Sequence, residues 1–215
     1  NDTFIFDALV HHKIDTEGLD FEVVFADIEQ LNKWVFQEKL DITKLSYNAF
    51  THCVNHYALL DSGSALGSNC GPLLIKKPNT ILTQESKIAI PGKYTTANML
   101  LNFAFPNHQN KVEMLFSEIE NKVLEVRVDA GLIIHENRFT FQEKGLEKVK
   151  DLGEFWEEET GLPIPLGGIV VNRELPLATQ QKIERVLRKS VEFAFENPYS
   201  SADYVKCHAQ EMGKE

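Results

Sequence analysis

In GLIIHENRF, residues 131–139, an apolar run stops at a histidine and a polar turn begins. An imidazole with an unperturbed pKa of about 6.5 is the side chain best matched to proton abstraction near neutrality, so His135 at the end of a strand could act as a base. Glu136, Asn137 and Arg138 follow and could orient the ring or bind substrate charge. HENRF is not the zinc motif HExxH, because Phe139 stands where the second histidine would be. From the pattern alone a structural histidine is the slightly commoner outcome.

Three other segments fall where ligands of open α/β sheets bind, just beyond strand ends. In KIAIPGKYTTANMLL a strand ends at Pro91-Gly92, and Thr95 or Thr96 can cap a helix beginning with Ala97. Free amides and the positive dipole end of such a helix favour a carboxylate or phosphate. The segment lacks the leading glycine of a Walker loop, and a plain helix cap is the commoner reading. In LDITKLSYNAF, Lys44 and Ser46 follow a short β-like run and could offer a cation and a hydroxyl to an anionic ligand, although a solvated lysine fits equally. In SGSALGSNCGP, Gly63, Gly67 and Gly71 recur every four residues without the GxGxxG spacing, so a connecting loop is favoured over a dinucleotide site. His52, Cys53 and His56 offer two histidines four apart, but no further ligand is spaced to complete a metal site.

These residues need a scaffold. Asp27 can cap a helix in DIEQLNKWVFQEK; NKVEMLFSEIENKVLE and ATQQKIERVLRKSVEFAFENP have the same apolar spacing, the last with Ile183, Val186, Leu187, Val191, Ala194 and Phe195 on one face. Short β-rich runs lie between them: FEVVF, PLLIKK, SKIAIP, DAGLII and GGIVV. The alternation predicts an α/β protein with mostly parallel sheets. Residues 72–92 and TGLPIPLGGIVV read as two crossings between lobes.

The 215 residues suffice for a real core, and 43% apolar with 25% charged residues is ordinary for a globular chain. A net charge of -10 gives no footprint for nucleic acid or anionic lipid. The apolar runs are too short for a membrane-spanning helix, which needs roughly 20 residues. Three widely spaced cysteines without a CxxC pair suggest reduced thiols, and with no export signal at the start of the sequence a cytoplasmic setting is expected. A homodimer is compatible with the pattern, although no coiled coil or isolated apolar stripe calls for one.

Taken in order, NDTFIFDALV, TKLSY, SGSALG with GPLL, IPGKYTTA, GLIIHENRFT and DLGEFWEEETGLPIPLG resemble the 1,4-dihydroxy-6-naphthoate synthases of the futalosine route to menaquinone. The resemblance runs to about residue 168 and is weaker through the last helices. It implies the two-lobed fold of type II periplasmic solute-binding proteins with a ligand cleft between the lobes. Lobe 1 would comprise residues 1–86 and 166–215, lobe 2 residues 87–165; relative to the family, lobe 1 would lack its first strand and a C-terminal part. The implied reaction is carbon-carbon cleavage of cyclic de-hypoxanthinylated futalosine to 1,4-dihydroxy-6-naphthoate, with no metal or organic cofactor. The family's proton-accepting histidine falls on His135, and its substrate-contacting segments fall on Lys44, Leu45, Ser46, Thr95 and Thr96.

Two rival readings share the fold. A solute-binding module without chemistry would bind a small solute and leave the naphthoate precursor unchanged. A chorismate dehydratase of the same pathway would turn over chorismate; HENRFT and GLPIPLG favour the lyase.

Overall fold

Asp2 precedes the first helix, α1 (Thr3–Val10), and the carboxylate of Asp27 accepts the amides of Glu29 and Gln30 to start α2 (Ile28–Val35). The computed structural model describes residues 2–68 and 70–208. After α2 the chain forms β1 (Ile42–Ser46), the single turn α3 (Tyr47–Phe50), β2 (Tyr57–Leu59) and β3 (Ala65–Gly67). Next come β4 (Leu73–Lys76), β5 (Ile88–Ile90), α4 (Thr96–Ala104), β6 (Lys111–Glu113), α5 (Phe116–Leu124) and β7 (Ala130–Ile133). The short α6 (Asn137–Thr140), β8 (Glu147–Asp151), α7 (Leu152–Thr160), β9 (Ile164–Asn172), α8 (Leu177–Glu196) and α9 (Ala202–His208) complete it.

The strands form two sheets. In the first, β9 lies between β1 on one side and β2 and β3 on the other, all antiparallel to it. The second has the order β6-β5-β7-β4-β8. Among the described residues only β5 pairs in parallel, with β6 and β7. Among the described residues the first sheet is therefore antiparallel and the second mixed, which corrects the expectation of mostly parallel ones. The apolar runs that suggested parallel strands report burial of both faces, and burial is indifferent to strand direction. Thus Ile169 and Val171 of β9 pack with Ile183 and Leu187 of α8, while Val170 between them packs with Leu45, Val35 and Tyr57.

The second sheet divides its side chains by the same period of two. Leu74, Ile88, Ile90 and Leu132 meet Leu100 and Leu101 of α4 and Leu152 of α7; Leu73, Ile75, Ala89 and Ile133 meet Ile119 and Val123 of α5. Gly131 lets α5 close on β7, because a Cβ there would lie 2.4 Å from Ile119 Cγ2.

Two expected elements change. FEVVF, residues 21–25, is irregular and leaves Val23, Val24 and Phe25 exposed, since no strand of the described residues lies beside it to pair with. NKVEMLFSEIENKVLE divides into β6 and α5, because Lys111 to Glu113 find the open edge of β5. The long helix is as expected except that Phe195 is exposed, its ring edge-on to Phe4. SGSALG contributes β3 to the first sheet, and its register against β9 shifts where Leu66 faces Pro165, a residue without an amide hydrogen to give. β4 lies within the second sheet, so the 72–92 segment starts inside the sheet built by residues 87–151.

Candidate active site

β7 delivers Ile134 and then His135, whose φ of 59° is left-handed, a conformation costly for a side chain with a Cβ. Two neighbours tie the turn down. Asn137, buried, donates its side-chain amide to Glu120 Oε2 at 2.5 Å, and Lys144 reaches the same oxygen at 2.7 Å. Arg138 donates Nη1 to Gly71 O at 2.7 Å and Nη2 to Asp151 Oδ2 at 3.1 Å. Phe116, at the start of α5, sets its ring edge-on to the imidazole with centroids 5.0 Å apart.

His135 presents accessible surface to solvent, yet protein crowds it closely enough that desolvation dominates its ionisation. Desolvation pulls its pKa below the ordinary histidine value, Glu136 and Asp2 work against that, and Lys44 adds to it. The imidazole is therefore neutral at pH 7, the state a general base requires.

Lys44 lies within β1, and its ammonium is ion-paired with Asp2. Lys44 of the first sheet and Asp2 ahead of α1 thus place a cation and a carboxylate in the field of a histidine carried by the second sheet. Ser46 ends β1 buried: its amide donates to Asn32 Oδ1 at 3.0 Å, and its hydroxyl accepts from Asn32 Nδ2 at 3.3 Å. Asn32 also donates to Glu29, a buried carboxylate that accepts the Tyr94 amide and whose pKa desolvation raises. Leu45 is wholly buried, main chain included, with Val35, Tyr57 and Val170, so it belongs to the core beneath Lys44 and Ser46.

Thr95 caps α4 as expected, accepting the Asn98 amide at 3.2 Å while its hydroxyl donates to Gly92 O at 2.8 Å. Thr96, the first residue of the helix, donates to Leu166 O at 2.9 Å and accepts the Asn48 amide at 3.4 Å. The starts of α3 and α4 therefore face each other beside β9. Both threonine hydroxyls are engaged within the protein, which leaves the first amides of α4 as the groups best suited to an anion.

Asp2, Phe116 and the Arg138–Asp151 pair were not singled out by the sequence reading; NDTF at the head of the matched motifs was the one signal for Asp2. Among the described residues no group of three acidic, histidine or cysteine side chains could hold a metal ion. His52 packs edge-on against both Phe36 and Tyr94, the His56 ring lies 2.9 Å from a Glu38 carboxylate oxygen, and burial pushes the Cys53 thiol up to about 11. A hollow of about 390 Å³ beside α8, lined by Asp61, Gly63 and Arg188, has neither His135 nor Lys44 in its wall and is not the candidate site.

These features define an α/β protein of the solute-binding fold with a histidine displayed at a strand end. The ligand-binding component of an ABC-type import system from Staphylococcus aureus shares that fold with a TM-score of 0.67 at 13% identity, over 98% of this chain and 76% of that one. A crystal structure of an Archaeoglobus fulgidus protein superposes with a TM-score of 0.91 at 37% identity, covering 99% of this chain and 79% of its own. The chain belongs to the menaquinone biosynthesis family, whose model matches residues 1–215. It is similar to a 1,4-dihydroxy-6-naphthoate synthase of Thermus thermophilus, 41% identical over 100% of this chain and 78% of the relative. It is also similar to one of Streptomyces coelicolor, 40% identical over 99% of this chain and 77% of the relative. The family expected from the motifs is borne out.

Proposed function

We propose that this protein is a carbon-carbon lyase that converts cyclic de-hypoxanthinylated futalosine to 1,4-dihydroxy-6-naphthoate. The observation that carries the reading is His135: neutral by desolvation, displayed beyond β7, and set in the field of Lys44 and Asp2, in a chain 41% identical to a synthase of that name. His135 takes the proton that starts bond cleavage, and the developing aromaticity of the naphthalene drives the step forward. Lys44, the α4 amides beside Thr95 and Thr96, and the Ser46 hydroxyl hold the substrate's carboxylate and sugar-derived oxygens; Leu45 anchors β1 in the core between Lys44 and Ser46. No metal or organic cofactor takes part.

The same reading includes two lobes, one around each sheet, with the substrate between them. The pairing of β4 with β7 and β8 supports moving the first boundary from residue 86 to just before β4, and the second stays at the entry to β9. Closure of the lobes would exclude water from the reacting centre. Scattering profiles that contract on saturation with product support this, and identical profiles count against it. A cytoplasmic location accords with the unpaired Cys53, Cys70 and Cys207, and among the described residues no helix is long and apolar enough to cross a membrane. As assembly we propose a homodimer, tested by light scattering.

The purified protein should release 1,4-dihydroxy-6-naphthoate from the cyclic precursor and leave chorismate unchanged. Turnover of chorismate, or tight binding of a small solute with the precursor untouched, would replace the synthase reading by one of its two rivals. The structures that resemble solute-binding components at 13% identity support the fold alone.

A further inference from the structure

We propose that Arg138 is the positioning residue of His135, a role that rests on His135 being the base. The turn from His135 to Arg138 begins with a left-handed residue, and an unsupported backbone would relax from that conformation and swing the imidazole away. Arg138 opposes this from within the turn. Its amide donates to His135 O at 3.5 Å, and its guanidinium bridges two acceptors from separate segments, Gly71 O and Asp151 Oδ2.

Both acceptors are held before the arginine reaches them. A Cβ at Gly71 would lie 2.6 Å from Gly153 Cα, so this glycine sits directly against the start of α7 and its carbonyl has little freedom. Asp151 is buried, and its other oxygen accepts the amides of Gly153 at 2.8 Å and Glu154 at 3.2 Å as the cap of α7. One guanidinium thereby fastens the base-bearing turn to the entry of β4 and to the junction of β8 with α7. Its planar fork serves two acceptors in fixed directions, which the single ammonium of a lysine does not reproduce. Asn137, the residue before Arg138, is held from the α5 side by Glu120, so the turn is fastened on two sides.

The test compares Arg138→Lys, Arg138→Ala and His135→Ala with the unaltered protein, following naphthoate release, thermal unfolding and the ring carbon resonances of the histidines. Arg138→Lys is expected to keep its fold and KM while kcat falls on the order of ten- to a hundredfold, the scale of an ångström's misplacement. Millimolar guanidinium chloride should restore part of the kcat of Arg138→Ala, and the His135 resonance should move in both variants while those of the other histidines stay. An unaltered kcat with an unmoved His135 resonance in Arg138→Lys overturns the proposal, as does a loss of kcat that tracks a lower melting temperature and is not relieved by guanidinium. If His135→Ala keeps the full rate, the base assignment fails instead, and the resonance still reports whether Arg138 sets the ring.

Discussion

Lys44 on β1 is ion-paired with Asp2, and both charges act on His135 beyond β7. The pH dependence of the reaction follows from their signs. Desolvation and Lys44 lower the His135 pKa, so the base stays neutral, and the acid limb of kcat/KM should lie below pH 6.5. Replacing Asp2 by Asn removes an influence that favours the imidazolium and leaves Lys44 uncompensated. Both changes act in one direction, and the acid limb should move further down. An acid limb that does not respond to Asp2→Asn would detach the observed ionisation from His135.

The same shift has a consequence for folding. The unfolded chain protonates this histidine as pH falls through 6.5, whereas the folded protein does so only at lower pH, so stability is lost between those two values. His135→Gln should flatten that part of the stability profile, read from urea unfolding at a series of pH values.

Thr95 spends its hydroxyl on the α4 cap and on Gly92 O, so Thr95→Ala should cost about 1 kcal/mol of stability. Thr95→Ser should restore most of it. A large rise in KM for Thr95→Ala with unfolding unaffected would instead mean that the hydroxyl is given to substrate.

The thiols differ by environment. Cys53 is buried with a pKa of about 11, while Cys207 is exposed on α9. Alkylation of the native protein at neutral pH should therefore label Cys207 well before Cys53, and Cys53 should react only on unfolding. Mass spectrometry of peptides after timed labelling checks this; early labelling of Cys53 would contradict the packing around Val35, Leu45 and Tyr57.

Local chemistry made part of this legible in the sequence. Asp27 and Thr95 cap helices where their side chains predicted it, and the apolar periods of α8, β5 and β7 gave those elements directly. Strand direction was not legible, because Ile169, Val170 and Val171 are apolar on both faces whichever way their neighbours run. FEVVF has the composition of a strand but finds no partner among the described residues, and pairing is what makes a strand. For the site, His135 stood out by its place after an apolar run, and the motif resemblance is what made it the proposed base rather than a structural histidine. Arg138 was visible as a neighbour, but its two acceptors lie 67 and 13 residues away and are brought to it by the pairing of β4 with β7 and β8. Leu45 shows the limit of carrying roles along a motif, since its side chain belongs to the core.

The most direct test of the account is the rate of 1,4-dihydroxy-6-naphthoate release from the cyclic precursor by the protein and by His135→Ala, each checked for native folding by circular dichroism. The account predicts release by the first and a loss of at least about a hundredfold in the second, the scale of a general base removed. Release at an unchanged rate by His135→Ala would contradict it.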